Sequence, residues 1–255
     1  MSANPSGKPL VAMIALQKGA LPDVTAVVEE LGQRHPDEGP PADAARGMES
    51  AVFRWGAGPI AVALKSEPIP WEELQQPCEN AWWWEQATET IQRHSAYLLV
   101  SLAPSSEDAV DRHLRLTRVV AAILPQCDAA GVYWPNGQIV HQPQSFQQQA
   151  AELSRESLNP GLWIDMHIAP TDDDGWCFYT TGLFAFGRRE IEILRTGRKP
   201  EEIYEMCTEV IGYLLTSGEE VSDGGVIARS DDEQIAVRYG PSMFDDEAEV
   251  MQLEF

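Results

Sequence analysis

Leu10-Val11-Ala12-Met13-Ile14-Ala15-Leu16 (LVAMIAL) is the stretch on which the fold turns. It is short, apolar and set between Pro9 and Gly19, which suits a buried strand. Lys8 precedes it in the manner of a secretory leader. However, seven apolar residues are the lower limit for such a segment, and no small-x-small cleavage site follows. Working outward, Pro22 and Asp23 open a helix through Val24, Val27, Val28 and Leu31. Residues 35–47, with Pro36, Gly39, Pro40, Pro41 and Gly47, read as a flexible loop. Residues 51–55 and 60–64 flank Gly56-Ala57-Gly58-Pro59, a hairpin signal. A Pro-rich crossing (Pro68, Pro70, Pro77) leads to a helix over 81–93 and a strand over 97–102. The order β-α-β-β-α-β is that of a split βαβ unit, with two helices on one face of an antiparallel sheet.

The rest of the chain echoes this order loosely. Ser105 and Asp108 have capping-box spacing ahead of a helix over 110–124. A short strand at 131–134 turns at Pro135-Asn136-Gly137, and residues 145–153 read as helical. Strands over 162–168 and 177–186 flank Asp172-Asp173-Asp174-Gly175, and Pro200 begins a helix that runs to Gly218. A last hairpin joins 226–228 to 235–237 around Asp231-Asp232-Glu233. The expected fold is therefore α+β: tandem ferredoxin-like (βαββαβ) halves with mainly antiparallel sheets, residues 1–104 and residues 105–255.

Composition narrows the functional classes. The chain has 255 residues, 44% hydrophobic and 23% charged, the balance of an ordinary folded protein. Eighteen Lys and Arg against forty Asp and Glu leave a net charge of -22, which excludes a general phosphate-neutralising surface and argues against anionic membranes. No apolar run reaches the length of a spanning helix. The acidity is uneven, because the last 55 residues carry 2 basic and 15 acidic side chains. Such a bias either serves solubility or attracts a basic partner over a Debye length of about 8 Å. Cys78, Cys127, Cys177 and Cys207 form no CxxC pair and read as buried thiols in a reducing, cytoplasmic setting.

Few motifs carry chemistry. No GxSxG or GxxxxGK[ST] pattern occurs, and neither a metal nor a cofactor is expected. Asp165 and His167 share one face of a strand near Asp172, Asp173 and Asp174, yet the spacing is not that of a metal site. Glu72 with Glu73, and Glu190 with Glu192, are carboxylate pairs of a kind that forty acids produce by chance. Tyr179-Thr180-Thr181-Gly182 is hydroxyl-rich, as strands commonly are. Arg112, Arg115 and Arg118 make a cationic stripe that neutralises acidic neighbours such as Asp108 and Asp111, faces the acidic C-terminal third within the fold, or holds a phosphate. Trp82-Trp83-Trp84 cannot all face a core from one helix, so one ring anchors a partner or packs under the Pro68–Pro77 loop.

Pro70-Trp71-Glu72-Glu73-Leu74, the three tryptophans, and His94-Ser95-Ala96-Tyr97-Leu98-Leu99-Val100 resemble a bacterial family of unknown function, DUF4261. Gly131-Val132-Tyr133-Trp134, Leu162-Trp163-Ile164-Asp165, Tyr179-Thr180-Thr181-Gly182-Leu183 and Phe186-Gly187 extend the resemblance, which is densest over 162–187. It implies a bacterial, cytoplasmic protein and supplies no catalytic residues. The acidic C-terminal third and the loop at 35–47 are expected to lie outside the family core.

The function these features favour is non-catalytic. A compact acidic domain rich in aromatics suits an immunity protein that neutralises a basic toxin, such as a secreted nuclease domain, by tight protein-protein binding. The residues expected to carry the contact are Glu219, Glu220 and Asp223, Asp231, Asp232 and Glu233, and Asp245, Asp246 and Glu247, with Trp82, Trp83 or Trp84 as anchor. The alternatives are an enzyme with a cryptic site near Asp165 and His167, and a structural or chaperone subunit.

Overall fold

The computed structural model describes residues 9–229, 234–244 and 247–254. Contacts divide the chain between Trp163 and Ile164 rather than at 104/105. The boundary moves because the chain after residue 104 returns to the first sheet and adds two strands to it.

The first unit contains β1 (Leu10–Leu16), α1 (Val24–Arg34), β2 (Ala42–Arg46), β3 (Ser50–Trp55), β4 (Gly58–Lys65), α2 (Trp71–Asn80) and α3 (Ala87–Ile91). It continues with β5 (Ala96–Leu102), α4 (Ala109–Ile123), β6 (Ala129–Trp134), β7 (Ile139–His141) and α5 (Pro143–Ala151). Its seven strands lie in the order β2-β3-β4-β5-β1-β6-β7, and every pairing is antiparallel. LVAMIAL is β1, paired from Leu10↔Leu102 to Leu16↔Ala96. Leu10, Ala12, Ile14 and Leu16 are buried on the face covered by α4. Ala15 and Met13, on the other face, join a core cluster with Leu74, Cys78, Trp84 and Ile91 of the α2–α3 segment. Cover on both faces explains why this strand is apolar throughout.

Three expectations for this unit need correction. The split βαβ arrangement is absent, since β4 and β5 both lie between β3 and β1, which leaves those two antiparallel, and the helices occupy both faces. Residues 42–46 are not loop but β2, a fully exposed edge strand. The helix over 81–93 shrinks to α3, while α2 runs through Pro77, whose missing N–H cannot donate to the Glu73 carbonyl, and ends at Asn80. Trp82, Trp83 and Trp84 therefore occupy the turn between two helices.

Local chemistry fixes the remaining joints. Asp108, rather than Ser105, caps α4 by accepting the Val110 N–H at 2.9 Å. Trp163 is fully buried, and its Nε1 donates to Thr117 Oγ1 at 2.8 Å. Burial of such an indole contributes about 3 kcal/mol against about 1 kcal/mol for its hydrogen bond, so packing is the larger effect. Gly137 lies against Trp163, where an added Cβ would sit 2.1 Å from the Trp163 carbonyl oxygen.

The second unit contains β8 (Asp165–Pro170), β9 (Trp176–Thr181), β10 (Ile191–Thr196), α6 (Pro200–Thr216), β11 (Val226–Ala228), β12 (Gln234–Pro241) and β13 (Glu249–Glu254). The strand order is β11-β12-β13-β10-β9-β8, with only β10 and β13 parallel. α6 buries Ile203, Met206, Cys207, Val210, Ile211 and Leu214. Thr208 Oγ1 lies 3.7 Å from Met166 Sδ, which sets the helix over the face that holds Met166. One helix over six strands is not a ferredoxin-like half. The supported class is mixed α+β with two mainly antiparallel sheets.

Candidate functional site

Along β8, β9 and the start of β10 the side chains point alternately to the two faces, so the face opposite α6 collects Asp165, His167, Tyr179 and Glu192. Register sets Asp165 opposite Thr181, His167 opposite Tyr179, and Tyr179 opposite Glu192. Asp165 and His167 share one face of β8, as strand alternation predicts, and Tyr179 lies opposite His167. Asp165 is 5% exposed and Glu192 2%.

Glu192 owes its burial to the tip of the β12–β13 hairpin. Its Oε1 accepts from Ser242 Oγ at 2.5 Å and its Oε2 from the Met243 N–H at 2.8 Å. The Phe244 N–H donates back to Ser242 Oγ at 3.1 Å, and the Ser242 N–H to the Ala248 carbonyl at 2.9 Å. This latch carries Phe244 onto the sheet, where its ring meets Tyr179 edge-on with centroids 4.4 Å apart. Tyr179 in turn lies 4.8 Å from the His167 ring. The row His167–Tyr179–Phe244 ends in solvent, with Phe244 63% exposed.

Glu190 performs a second latching role. It accepts from Thr180 Oγ1 at 2.6 Å and from the N–H groups of Gly182 and Phe184 at 2.9 and 3.1 Å. Gly182 has φ +122, a backbone state open to glycine, so this turn needs both residues. Burial pushes the Glu190 carboxyl up against the pull of those hydrogen bonds. Neither Glu190 nor Glu192 stood out in the sequence among forty acids. The signal that finds them is the alternation Glu190-Ile191-Glu192-Ile193.

Burial governs the titratable groups of this unit. Burial lowers the His167 imidazole, the direction opposite to that of a histidine paired with a carboxylate. Burial raises Tyr179, with Asp165 adding to the effect, and does the same for Tyr204. The hydroxyls of Thr180 and Ser242 are committed to Glu190 and Glu192. All four cysteines are free thiols, and burial pushes Cys78 and Cys127 up to about 12. Among the described residues no group of three or more His, Cys, Asp or Glu is placed to hold a metal ion. Asp173 instead binds Arg195 at 2.5 Å in an exposed turn.

The three tryptophans separate. Trp84 is 6% exposed in the α2–α3 core, Trp83 38% and Trp82 73%. The Trp83 Nε1 donates to the Val140 carbonyl at 3.3 Å and its ring stacks on His141, so it covers the edge strand β7. Of the three, Trp82 presents the most of its ring to solvent, and that ring meets Trp83 edge-on with centroids 5.7 Å apart.

The acidic residues also divide. Glu219 Oε2 accepts from the Tyr213 hydroxyl at 2.8 Å, and Asp223 Oδ1 from the Tyr239 N–H at 2.8 Å. Glu220 lies 4.0 Å from Arg189, which also binds Glu249 at 2.6 Å and covers the Tyr239 ring. Glu247 is exposed at the hairpin tip. Asp231, Asp232, Glu233, Asp245 and Asp246 lie outside the described residues. The arginine stripe is absorbed within the first unit: Arg112 donates to the Ala103 carbonyl, Arg115 to the Trp55 carbonyl and Glu107, and Arg118 to Glu38 at 2.7 Å. Asp108 and Asp111 pair with Arg155 instead.

Together these features define an α+β protein whose second sheet keeps one face polar and latched by buried glutamates. Residues 179–254, within the second unit, match the family model of a domain of unknown function, DUF4261. The match begins at Tyr179, inside the densest part of the sequence resemblance, and runs through the acidic third, which was expected to lie outside the family core. The tryptophan contexts before residue 179 are outside the matched span. No curated protein and no solved structure matches the chain. Among the described residues no helix is long and apolar enough to cross a membrane.

Proposed function

We propose that this is a non-catalytic, cytoplasmic binding protein, an immunity protein that neutralises a basic bacterial toxin domain by tight protein-protein contact. The observation that carries this reading is Phe244: an exposed aromatic ring, braced from behind by Tyr179, followed directly by Asp245-Asp246-Glu247. A rigid aromatic anchor beside a charged rim is how interface hot spots are built, the ring holding the complex and the charge speeding encounter. Glu219, Glu220 and Asp223 add acidic charge, and Asp231, Asp232 and Glu233 follow them in the sequence. Trp82 is a second anchor candidate, on the first unit. An enzyme at Asp165 and His167 is the alternative, with Thr181 and Tyr179 opposite them in register.

The test uses any basic protein domain found encoded beside this gene. Co-expression of the intact protein is expected to restore growth to cells making that domain. Phe244→Ala is expected to speed dissociation of the complex roughly thirtyfold, the size of a hot-spot loss. Glu219→Lys with Glu220→Lys and Glu247→Lys is expected to slow association and weaken its salt dependence. Failure of the intact protein to bind or protect against any basic product of a neighbouring gene overturns the proposal.

A further inference from the structure

The first unit contains a cavity of about 340 Å³ where α1, α4 and α5 meet. Its size is at the lower end of the range for small-ligand sites. Four alanines create the space: Ala121 and Ala122 on α4, and Ala150 and Ala151 on α5. Leu31 adds to this apolar wall. The remaining wall is polar: Glu30, Arg34 and His35 at the end of α1, Arg118 of α4 and Gln147 of α5.

The cations here are only partly matched. Arg34 pairs with Glu30 at 2.5 Å, and Arg118 with Glu38 at 2.7 Å. The Nε of Arg118 is buried without a hydrogen-bond partner, although a guanidinium offers five donors. Such an orphan is costly in a folded protein unless something accepts from it. Arg115 has a comparable Nε, but Arg115 does not line the cavity. The C-terminus of α1 contributes carbonyls of partial negative charge at this end of the cavity. Even so, His35 is lowered to about 4 by burial, with Arg118 and Arg34 acting in the same direction and Glu30 in the opposite one. The imidazole is thus neutral at neutral pH and can hydrogen-bond without adding charge.

We infer that this cavity binds a small organic carboxylate with a short apolar tail, the carboxylate on Arg118 and Arg34 and the tail against the alanines. A planar carboxylate matches the guanidinium fork, and the alanine wall rewards a tail that inorganic anions lack. The inference is independent of the toxin-binding reading, which concerns the second unit.

Calorimetric titration of the full chain with butyrate and benzoate, against butanol and benzyl alcohol as neutral counterparts, tests it. Each carboxylate is expected to bind one per chain, at least about tenfold more tightly than its alcohol. Arg118→Gln is expected to weaken butyrate binding about tenfold or more. Ala121→Leu, at a half-buried position that tolerates a larger side chain, is expected to abolish it while circular dichroism and melting temperature stay near the parent values. Equal binding of alcohol and carboxylate, unchanged binding by the Ala121→Leu protein, or no saturable binding at millimolar concentration overturns the assignment.

Discussion

The two units bury a sheet in opposite ways. In the first, helices cover both faces, and the polar groups that strands and helices bring inside are neutralised where they lie. Burial holds His113 at about 3 and His141 at about 4, and both imidazoles lie against backbone carbonyls, of Ala109 and Leu162. In the second, α6 covers one face and the other is closed in part by a hairpin tip that two hydrogen bonds tie to Glu192. A sheet covered by helices can be apolar on both sides. A sheet with one free face has to build its cover from polar latches, and that cover is where a surface for another molecule can change without disturbing the core.

Acid is the strongest way to break this symmetry of stability. His35, His113 and His141, all in the first unit, have folded-state values lowered below their ordinary 6.5. The unfolded chain therefore binds protons first: the stability is fully present above about pH 6.5 and is lost as pH falls towards 4 and 3. For each of the two deeply buried histidines the loss approaches on the order of 3–5 kcal/mol, comparable with a good part of a domain's stability. Glu190 in the second unit runs the other way, because a raised carboxyl favours the folded state on acidification. Hydrogen exchange followed from pH 7 to pH 4 is expected to show β1 and α4 losing protection before β9 and β10. Protection lost first in the second unit would reverse the comparison.

What could be read in advance follows the same division. LVAMIAL was legible as a buried strand because cover on both faces leaves an unbroken apolar run. β10 and β13 were not, since Glu190, Glu192, Glu249 and Glu254 interrupt their apolar residues and read as charge rather than as alternation. β2 was hidden by prolines and by its exposure, because no buried face imposes a pattern on it. Strand alternation was enough to set Asp165 beside His167, and the triple tryptophan was enough to show that the rings must separate. Nothing local announced that Ser242 and Phe244 return to Glu192 and Tyr179, about fifty residues and more away in sequence. Such contacts belong to strand order, which periodicity does not encode.

The Glu192 latch gives the next effect in size. Glu192→Ala removes the acceptor for the Ser242 hydroxyl and the Met243 N–H and leaves both donors near a buried face. The expected loss is about 2–3 kcal/mol, measured as a lower urea midpoint. Ser242→Ala removes one of the two bonds and is expected to lose about 1–2 kcal/mol, with Glu192 still holding the Met243 N–H. Additive losses in the double variant would indicate that the two residues act separately and that the tip is held by other contacts.

The smallest expected change sharpens the comparison most. Phe244 is largely exposed, so Phe244→Ala is expected to remove only the edge-on contact with Tyr179, worth about 1 kcal/mol. Its consequence should instead appear further along the row. Burial is what lowers His167, and the Phe244 ring covers Tyr179, against which His167 lies. Uncovering that row is expected to move the His167 titration, followed by NMR, back towards its ordinary value of 6.5, while His113 and His141 in the first unit stay where they are. Trp82→Ala provides the matched control: it removes an exposed ring of the first unit and is expected to leave all three titrations unchanged. A His167 titration unmoved by Phe244→Ala would assign its burial to the sheet itself, and Phe244 would then be an anchor without a role in shaping the face beneath it.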